Sequence, residues 1–482
     1  TKGLQHALGR LRIKPGKHKE IRGIENIDAD EIRPYYVSQS DEVGAEADVF
    51  RPRYEENGNF FPEYYVIPVD SDAQQDRAAA AEMVEYLLRN DVKLEQLTED
   101  FEVNGTTYAE GAVVVDMHQA KRNMANAALY ENMVIDDWTS LYSEPVTNFP
   151  DQRGFDCDTI TTPGAFDDAA LAEITEPIEL ATEVDGDGDL VVIENSGVES
   201  IRAVNALLDD GVQVGLVTEG ENTGDYVVAS SDFDAVKDDF VLDAHKVAEA
   251  PTAQVIKTGI KVYVPGAADE FMTNEAGEEY GVRDYQNRLN TSYNMDIFAL
   301  TEQMGFTLVD SPEEADIIVG NQALTEDEGK LVAEGKPYVG YTANALESAA
   351  ALGIDVTYND DADMSYDALT TVEFPEESIV TATYVGEGDD LMYGYGGTFI
   401  TGVPEGATVL IKTTGDDPVE GFMSAEAIEA YKGTIQAFDY QADGYNVTLF
   451  ANTLTNKAHQ QDEYRYLSAA VYSKLLEGDF EA

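Results

Sequence analysis

The sequence predicts an α/β protein of several small α/β units, including an open parallel-sheet domain near the C-terminus with added β structure. Three observations predict it. Short apolar runs alternate with amphipathic helical runs from residue 64 onward. That alternation stops and restarts, and after Leu352 it gives way to short strands rich in Gly and Tyr. With 43% apolar and 10% aromatic residues, the 482-residue chain has enough material for large buried cores despite its charge. The expected divisions are a basic arm and connector over 1–62, a small α/β domain over 63–150, a βαβ-type domain over 151–255, and an α/β domain with a β-rich insertion over 256–482.

Tyr64–Val69 reads as a strand, followed by Asp70-Ser71-Asp72 as a cap and a helical run from Ala73 to Arg89. Val92–Leu97 alternates like a strand, and Asn104-Gly105 between Phe101–Val103 and Thr106–Tyr108 is a two-residue hairpin signal. Ala112–Val115 is a further buried strand, and the unit should end near Pro150, after the lone Trp138. In the second unit, Leu190–Ile193, a helix over Val198–Leu208 and Val212–Val217 spell a βαβ unit, for which a parallel sheet and right-handed crossover are expected. The third has strands at Ile260–Val264, Thr307–Val309, Ile317–Val319 and Pro337–Gly340. Its helices are expected at Val282–Met304, Glu326–Glu334 and Ala343–Ala351. A strand at Val447–Phe450 and a helix at Tyr464–Leu476 close the chain.

Charge sets the function classes. The 94 acidic residues against 30 basic ones leave −64. That balance excludes sequence-independent nucleic-acid binding as the main activity and disfavours docking on anionic membranes. It implies a salt-loving or alkaline-habitat protein, because a Debye length of about 3 Å at molar salt screens the self-repulsion. The alternative is an acidic surface that stores or needs divalent cations. Seven of the basic residues fall in the first 22 positions, Arg10, Arg12, Lys14, Lys17 and Lys19 among them. They form either a solvated tail or an assembly arm lying on the acidic surface of its own body or of a neighbouring copy. A head-to-tail contact between copies builds filaments when it does not close. No apolar run is long enough to span a membrane, no signal peptide is seen, and the chain reads as having a mature or cleaved start.

The catalytic inventory is thin. Cys157, between Asp156 and Asp158, is the one cysteine; it can form no intrachain disulfide, and its acidic flanks would raise rather than lower a thiol pKa. His6, His18, His118, His245 and His459 show no zinc-ligand spacing. No Gly-x-Ser-x-Gly elbow or Walker-type loop occurs, and Gly394, Gly396 and Gly397 read as strand or bulge glycines. Asp185, Asp187 and Asp189 alternate with Gly as in a calcium loop, but the twelfth position is Ser196 and Glu194 falls two early, which favours a solvated acidic turn. No cofactor other than this candidate calcium is implied. The 27 tyrosines, clustered at Tyr35-Tyr36, Tyr64-Tyr65 and Tyr393/Tyr395, suit either cores or interfaces. Sequons begin at Asn104, Asn290 and Asn446, each a weak match.

Two resemblances add to this. The turn Gly340-Tyr341-Thr342-Ala343-Asn344 resembles the strand-to-helix elbow of the class I glutamine amidotransferase-like fold, an open flavodoxin-like sheet. Active members carry Cys at the elbow with His and Glu nearby; Thr342 stands here, so the resemblance implies the architecture without its nucleophile. Phe60–Pro68 and Gly111–Asn126 resemble the region that follows the catalytic domain of large secreted zinc carboxypeptidase-like proteins, and Gly444–Leu476 fits its closing amidotransferase-like domain. In that family the metal ligands and catalytic Glu belong to the upstream domain, so no catalytic residue carries over.

The expected function is therefore a secreted or cell-surface acidic structural protein, not an enzyme in itself, that self-assembles into a filament or surface layer. Its partners would be copies of itself. The alternative is an accessory region of an active secreted metallocarboxypeptidase. A weaker third reading is a small-ligand site in the loops after Val264, Val319 and Gly340, where open α/β folds place their sites.

Overall fold

The computed structural model describes residues 54, 56–59, 61–70, 73–130, 148–266, 271–273, 279–281, 292–359, 367–386 and 391–481. The fold is mixed α/β, in two compact units. The basic arm, Tyr35-Tyr36, Trp138 and Asn290 lie outside the described residues.

The first unit takes in the described residues up to Gln74, with Ala80–Leu129 and Asp156–Glu179. Its strands are β1 (Tyr64–Ile67), β2 (Leu94–Leu97), β3 (Phe101–Val103), β4 (Thr106–Tyr108), β5 (Val113–Asp116), β6 (Asp158–Ile160) and β7 (Leu171–Ile174). Five of them form an antiparallel sheet in the order β6-β1-β5-β2-β7. Tyr64, Val66, Val114, Leu97 and Phe166 pack one core, with the Tyr64 and Phe166 rings edge-on at 5.0 Å. The β3-β4 hairpin turns at Asn104 and Gly105, with φ of 55° and 94°. Positive φ at both central residues is what a type I′ turn requires. Cys157 is buried and takes part in no disulfide. Helix α1 (Arg77–Arg89) starts later than its apolar run suggests, because Asp76 Oδ1 accepts the Ala79 N–H at 2.9 Å and sets the cap there. Helix α2 is Arg122–Leu129.

The second unit is the described residues of 75–79, 130–155 and 180–482. After the short helix α3 (Phe149–Arg153), strands β8 (Glu183–Gly186), β9 (Leu190–Ile193), β10 (Gly215–Val217), β11 (Tyr226–Ala229), β12 (Asp243–Val247) and β13 (Ala253–Ile256) join β28 (Leu476–Asp479) in a seven-stranded sheet. The order is β28-β13-β10-β11-β9-β12-β8. Here the expected parallel βαβ unit is corrected. Helix α4 (Val198–Asp209) does connect β9 to β10, but β11 returns between them and pairs antiparallel with both. Only β8 and β12 pair parallel. Helix α5 is Ser230–Phe233.

The second sheet has twelve strands. Its parallel half is β17-β14-β18-β19-β27, from β14 (Lys261–Tyr263), β17 (Thr307–Leu308), β18 (Ile317–Gly320), β19 (Tyr338–Tyr341) and β27 (Val447–Phe450). A small hairpin, β15 (Phe271–Thr273) and β16 (Glu279–Gly281), stands apart. Helices α6 (Ser292–Phe298), α7 (Glu326–Ala333) and α8 (Thr342–Leu352) supply the crossovers, α6 running on into one π turn to Gln303. Beyond β27 the sheet turns antiparallel through β26 (Ile435–Tyr440), β24 (Thr408–Thr413), β21 (Asp367–Glu373) and β22 (Leu391–Tyr395). Strands β20 (Thr357–Asn359), β23 (Phe399–Gly402) and β25 (Glu420–Phe422) and helix α9 (Ala425–Tyr431) complete this added β structure.

The boundary expected at 255 does not divide the structure. Helix α10 (Tyr464–Ser473) is buried from Tyr464 through Tyr472, and one apolar core runs from Val191 to Leu475. After α10 the chain pairs β28 with β13. A helix apolar on all sides needs cover on all sides, so neither sheet closes its core alone.

Candidate functional site

The C-terminal ends of β18, β19 and β27 converge on the strand-to-helix elbow. Tyr341 ends β19, and Thr342 opens α8 with φ of 74°. A β-branched residue in the left-handed region costs roughly 1–2 kcal/mol. Two hydrogen bonds hold the turn: Thr342 Oγ1 and Asn344 Nδ2 both donate to the Asn321 carbonyl, at 3.2 and 3.1 Å. Close packing at the turn also explains Gly340, where a Cβ would run into the Tyr338 ring and stand 2.8 Å from Ala345 Cβ.

Beneath the elbow lies Asp296 of α6, with no exposed surface. Its Oδ1 accepts from Tyr341 Oη at 2.6 Å, Thr455 Oγ1 at 2.7 Å and Asn321 Nδ2 at 3.2 Å; its Oδ2 accepts from the Asn321 N–H at 3.0 Å. Burial pushes the carboxyl up to about 7, against the pull of the Thr455, Tyr341 and Asn321 donors. The same burial, with the Asp296 charge beside it, pushes the Tyr341 phenol well up. One side chain thus ties α6 to the ends of β18 and β19 and to the loop after β27.

Further buried acids surround this end of the sheet. Glu463 accepts from Gln460 Nε2 at 2.5 Å and from the Tyr393 N–H at 2.7 Å, and burial raises its pKa. Burial lifts Asp367 to about 6, opposed by its bond from Tyr393, whose hydroxyl accepts from Asn456 Nδ2 at 3.3 Å. His459 is held below its ordinary pKa by burial and then by the charges of Arg153 and Lys457; its ring meets Phe149 edge-on at 6.5 Å.

Chemically, an alcohol at an elbow becomes a nucleophile only with a base on its hydroxyl. Thr342 gives its hydrogen bond to a carbonyl, which is no base, and Asp296 spends its oxygens on four other donors. The one cysteine lies in the first unit.

The three carboxylates of the candidate calcium loop lie at the edge of the seven-stranded sheet. Asp185 sits in edge strand β8, Asp187 and Asp189 follow in the bend that leads into β9, and Asp187 and Lys246 both line one cavity. Among the described residues no group of three or more His, Cys, Asp or Glu is gathered to hold a metal ion. Gly186, with φ of 72°, lets the strand close on β12: a Cβ there would stand 2.7 Å from the Lys246 carbonyl. Of the clustered tyrosines, Tyr64, Tyr65 and Tyr393 are buried and Tyr395 is 48% exposed. No described helix is long and apolar enough to cross a membrane.

Sequence reasoning missed two groupings. One is Asp296, whose signal was a lone carboxylate among Met295, Ile297, Phe298 and Leu300. The other is His118 in the first unit, whose Nε2 lies 3.2 Å from Glu63 Oε2 and whose Nδ1 lies 3.1 Å from Asp116 Oδ1.

No protein-family model matches the chain, and no curated protein matches it in sequence. Solved structures match part of it. A glutamine amidotransferase from Thermotoga maritima is 12% identical, over 45% of this chain and 98% of its own, with a TM-score of 0.27. A cytoplasmic protein from Salmonella typhimurium LT2 is 10% identical over 45% and 99%, with a TM-score of 0.27. The exo-β-1,4-mannosidase Op5Man5 from Opitutaceae bacterium strain TAV5 is 16% identical over 46% and 36%, with a TM-score of 0.25.

Proposed function

We propose that this chain is a non-catalytic, acidic structural protein of a salt-rich extracellular setting, which assembles with copies of itself into a filament or surface layer. The observation that carries the non-catalytic reading is the elbow, where a threonine hydroxyl bonded to the Asn321 carbonyl occupies the nucleophile's place. The assembly reading rests on charge: the net −64 of the chain stands against a first segment carrying seven of its 30 basic residues. Arm and body are complementary, and contact between copies is the head-to-tail kind that propagates. The test reverses Arg10, Arg12, Lys14 and Lys17 to Glu and follows assembly by sedimentation. Loss of assembly supports the arm; unchanged assembly refutes it.

A second reading is the accessory region of a secreted metallocarboxypeptidase. It is favoured by the pairing of the two stretches that carry that resemblance: Tyr64–Ile67 and Val113–Asp116 lie side by side as β1 and β5. Zinc-dependent peptidase activity in this chain alone would overturn the non-catalytic reading. The intact mass of the protein from its native source, well above that of the chain, would favour the accessory role.

A further inference from the structure

We infer that the outer edge of β8 is the docking site for the basic arm of a neighbouring copy, which adds there as an extra strand. This rests on the assembly reading and names its receiving surface. Strand β8 ends its sheet, with no strand beyond it among the described residues. The Glu183 N–H bonds the Leu242 carbonyl on the inner side. Backbone groups alternate along a strand, so those of Val184 face the open side. All four β8 residues are exposed, and Val184 is one of the exposed large apolar side chains, at 39%.

The two faces of this edge differ. On the Val184 side lies a cavity of about 240 Å³, walled by Gly186, Asp187, Lys246 and the Asp234–Lys237 ion pair over the core residue Phe233. It has room for an aliphatic side chain against the ring and the lysine stems. On the other side stand Glu183 and Asp185. Arg77 already serves Glu183 at 2.7 Å and Asp243 at 2.9 Å, which leaves Asp185 and nearby Glu194 in excess. His245 is the β12 residue in register with Asp185.

The arm carries the matching pattern. Arg10-Leu11-Arg12-Ile13-Lys14 alternates basic and apolar with period two, and Pro15-Gly16 ends the run. Added to β8, Leu11 and Ile13 fall on the cavity side while Arg10, Arg12 and Lys14 fall on the Asp185 side. Charge attraction alone is screened beyond about 3 Å in molar salt. A backbone ladder with an inserted apolar side chain is not, and this is the β-augmentation mode of recognition.

The test uses the full chain in molar salt. Val184→Pro removes an outward N–H while leaving the pairing with β12, so it should raise the concentration needed for assembly by on the order of tenfold with the circular dichroism unchanged. Asp185→Lys should weaken assembly, and adding Arg10→Glu and Arg12→Glu to it should restore it; this swap decides the matter should the proline variant not fold. Mixing an Ile13→Cys chain with a Val184→Cys chain should give a disulfide-linked pair. Assembly unchanged in both edge variants while the arm reversal abolishes it would overturn the β8 site and spare the arm. A chain that never assembles, or a link formed only within one doubly substituted chain, would overturn both the site and the contact between copies.

Discussion

Asp296→Asn should change how stability depends on pH, by an amount the site itself sets. Burial raises the Asp296 carboxyl from 3.8 to about 7. A carboxyl raised on folding binds its proton more tightly in the native state. Its contribution is therefore full below about 4 and is lost as pH climbs to 7, at about 1.4 kcal/mol per unit. Between pH 5 and pH 8 the wild type should lose ~3 kcal/mol through this one group. Asparagine keeps the shape and removes the titration. It also leaves one amide donor against the Asn321 N–H, a cost of about 1–3 kcal/mol that does not vary with pH. The assay is urea unfolding of both proteins at pH 5, 6, 7 and 8 in constant molar salt. The other titrating groups are common to both proteins and cancel in the difference. The variant should be clearly weaker at pH 5 and close the gap by roughly 3 kcal/mol at pH 8. A gap constant across the series would refute the buried, raised carboxylate beneath the elbow.

Thr342→Cys should release no ammonia from glutamine, since the elbow hydroxyl bonds a carbonyl rather than a base; release above background would overturn the non-catalytic reading. Lys474→Met should cost about 3 kcal/mol in urea unfolding, because the fully buried ammonium donates to Asp439 Oδ1 at 2.6 Å and Asn446 Oδ1 at 3.1 Å, and Asp439 would be left in charge excess. The unfolding temperature should climb as salt rises from 0.1 to 2 M, as self-repulsion of a chain at −64 is screened; a fall would argue for stability resting on ion pairs instead.

Local chemistry was legible in the sequence and long-range pairing was not. Asn104-Gly105 reads as a turn because only two residues decide it, and the hairpin forms there. The elbow at Gly340–Thr342 is legible for the same reason: an apolar strand meets a helix at a residue with no room for a side chain before it. The order β10-β11-β9 was hidden, since helix spacing and strand spacing are the same whether a third strand intervenes or not. The joining of two expected domains was hidden too, because it depends on what covers α10, some 200 residues from the core it completes. The Asp and Gly alternation at 185–189 does not decide its own structure: the same pattern suits a calcium loop or the end of an edge strand, and here it begins in edge strand β8. Asp296 was passed over because a single acid in a chain with 94 of them carries no mark of burial.

Strain at the elbow invites a catalytic reading, since backbone strain gathers at functional sites. The topology here accounts for it without chemistry. Strand β19 is buried along its length and α8 must pack back on the sheet, so the chain has one residue in which to reverse. That reasoning fixes a ranking of variants. Thr342→Gly should relieve about 1–2 kcal/mol of left-handed strain, while losing a hydrogen bond of about 1 kcal/mol and gaining unfolded-state freedom of about 0.5–1 kcal/mol. It should stay within about 1 kcal/mol of wild type. Thr342→Ala loses the hydrogen bond and keeps the strain, so it should be the weaker of the two by about 1 kcal/mol. Urea unfolding of the pair decides it. Alanine more stable than glycine would mean that the φ of 74° costs nothing, and the elbow's geometry would then need a reason other than the turn between strand and helix.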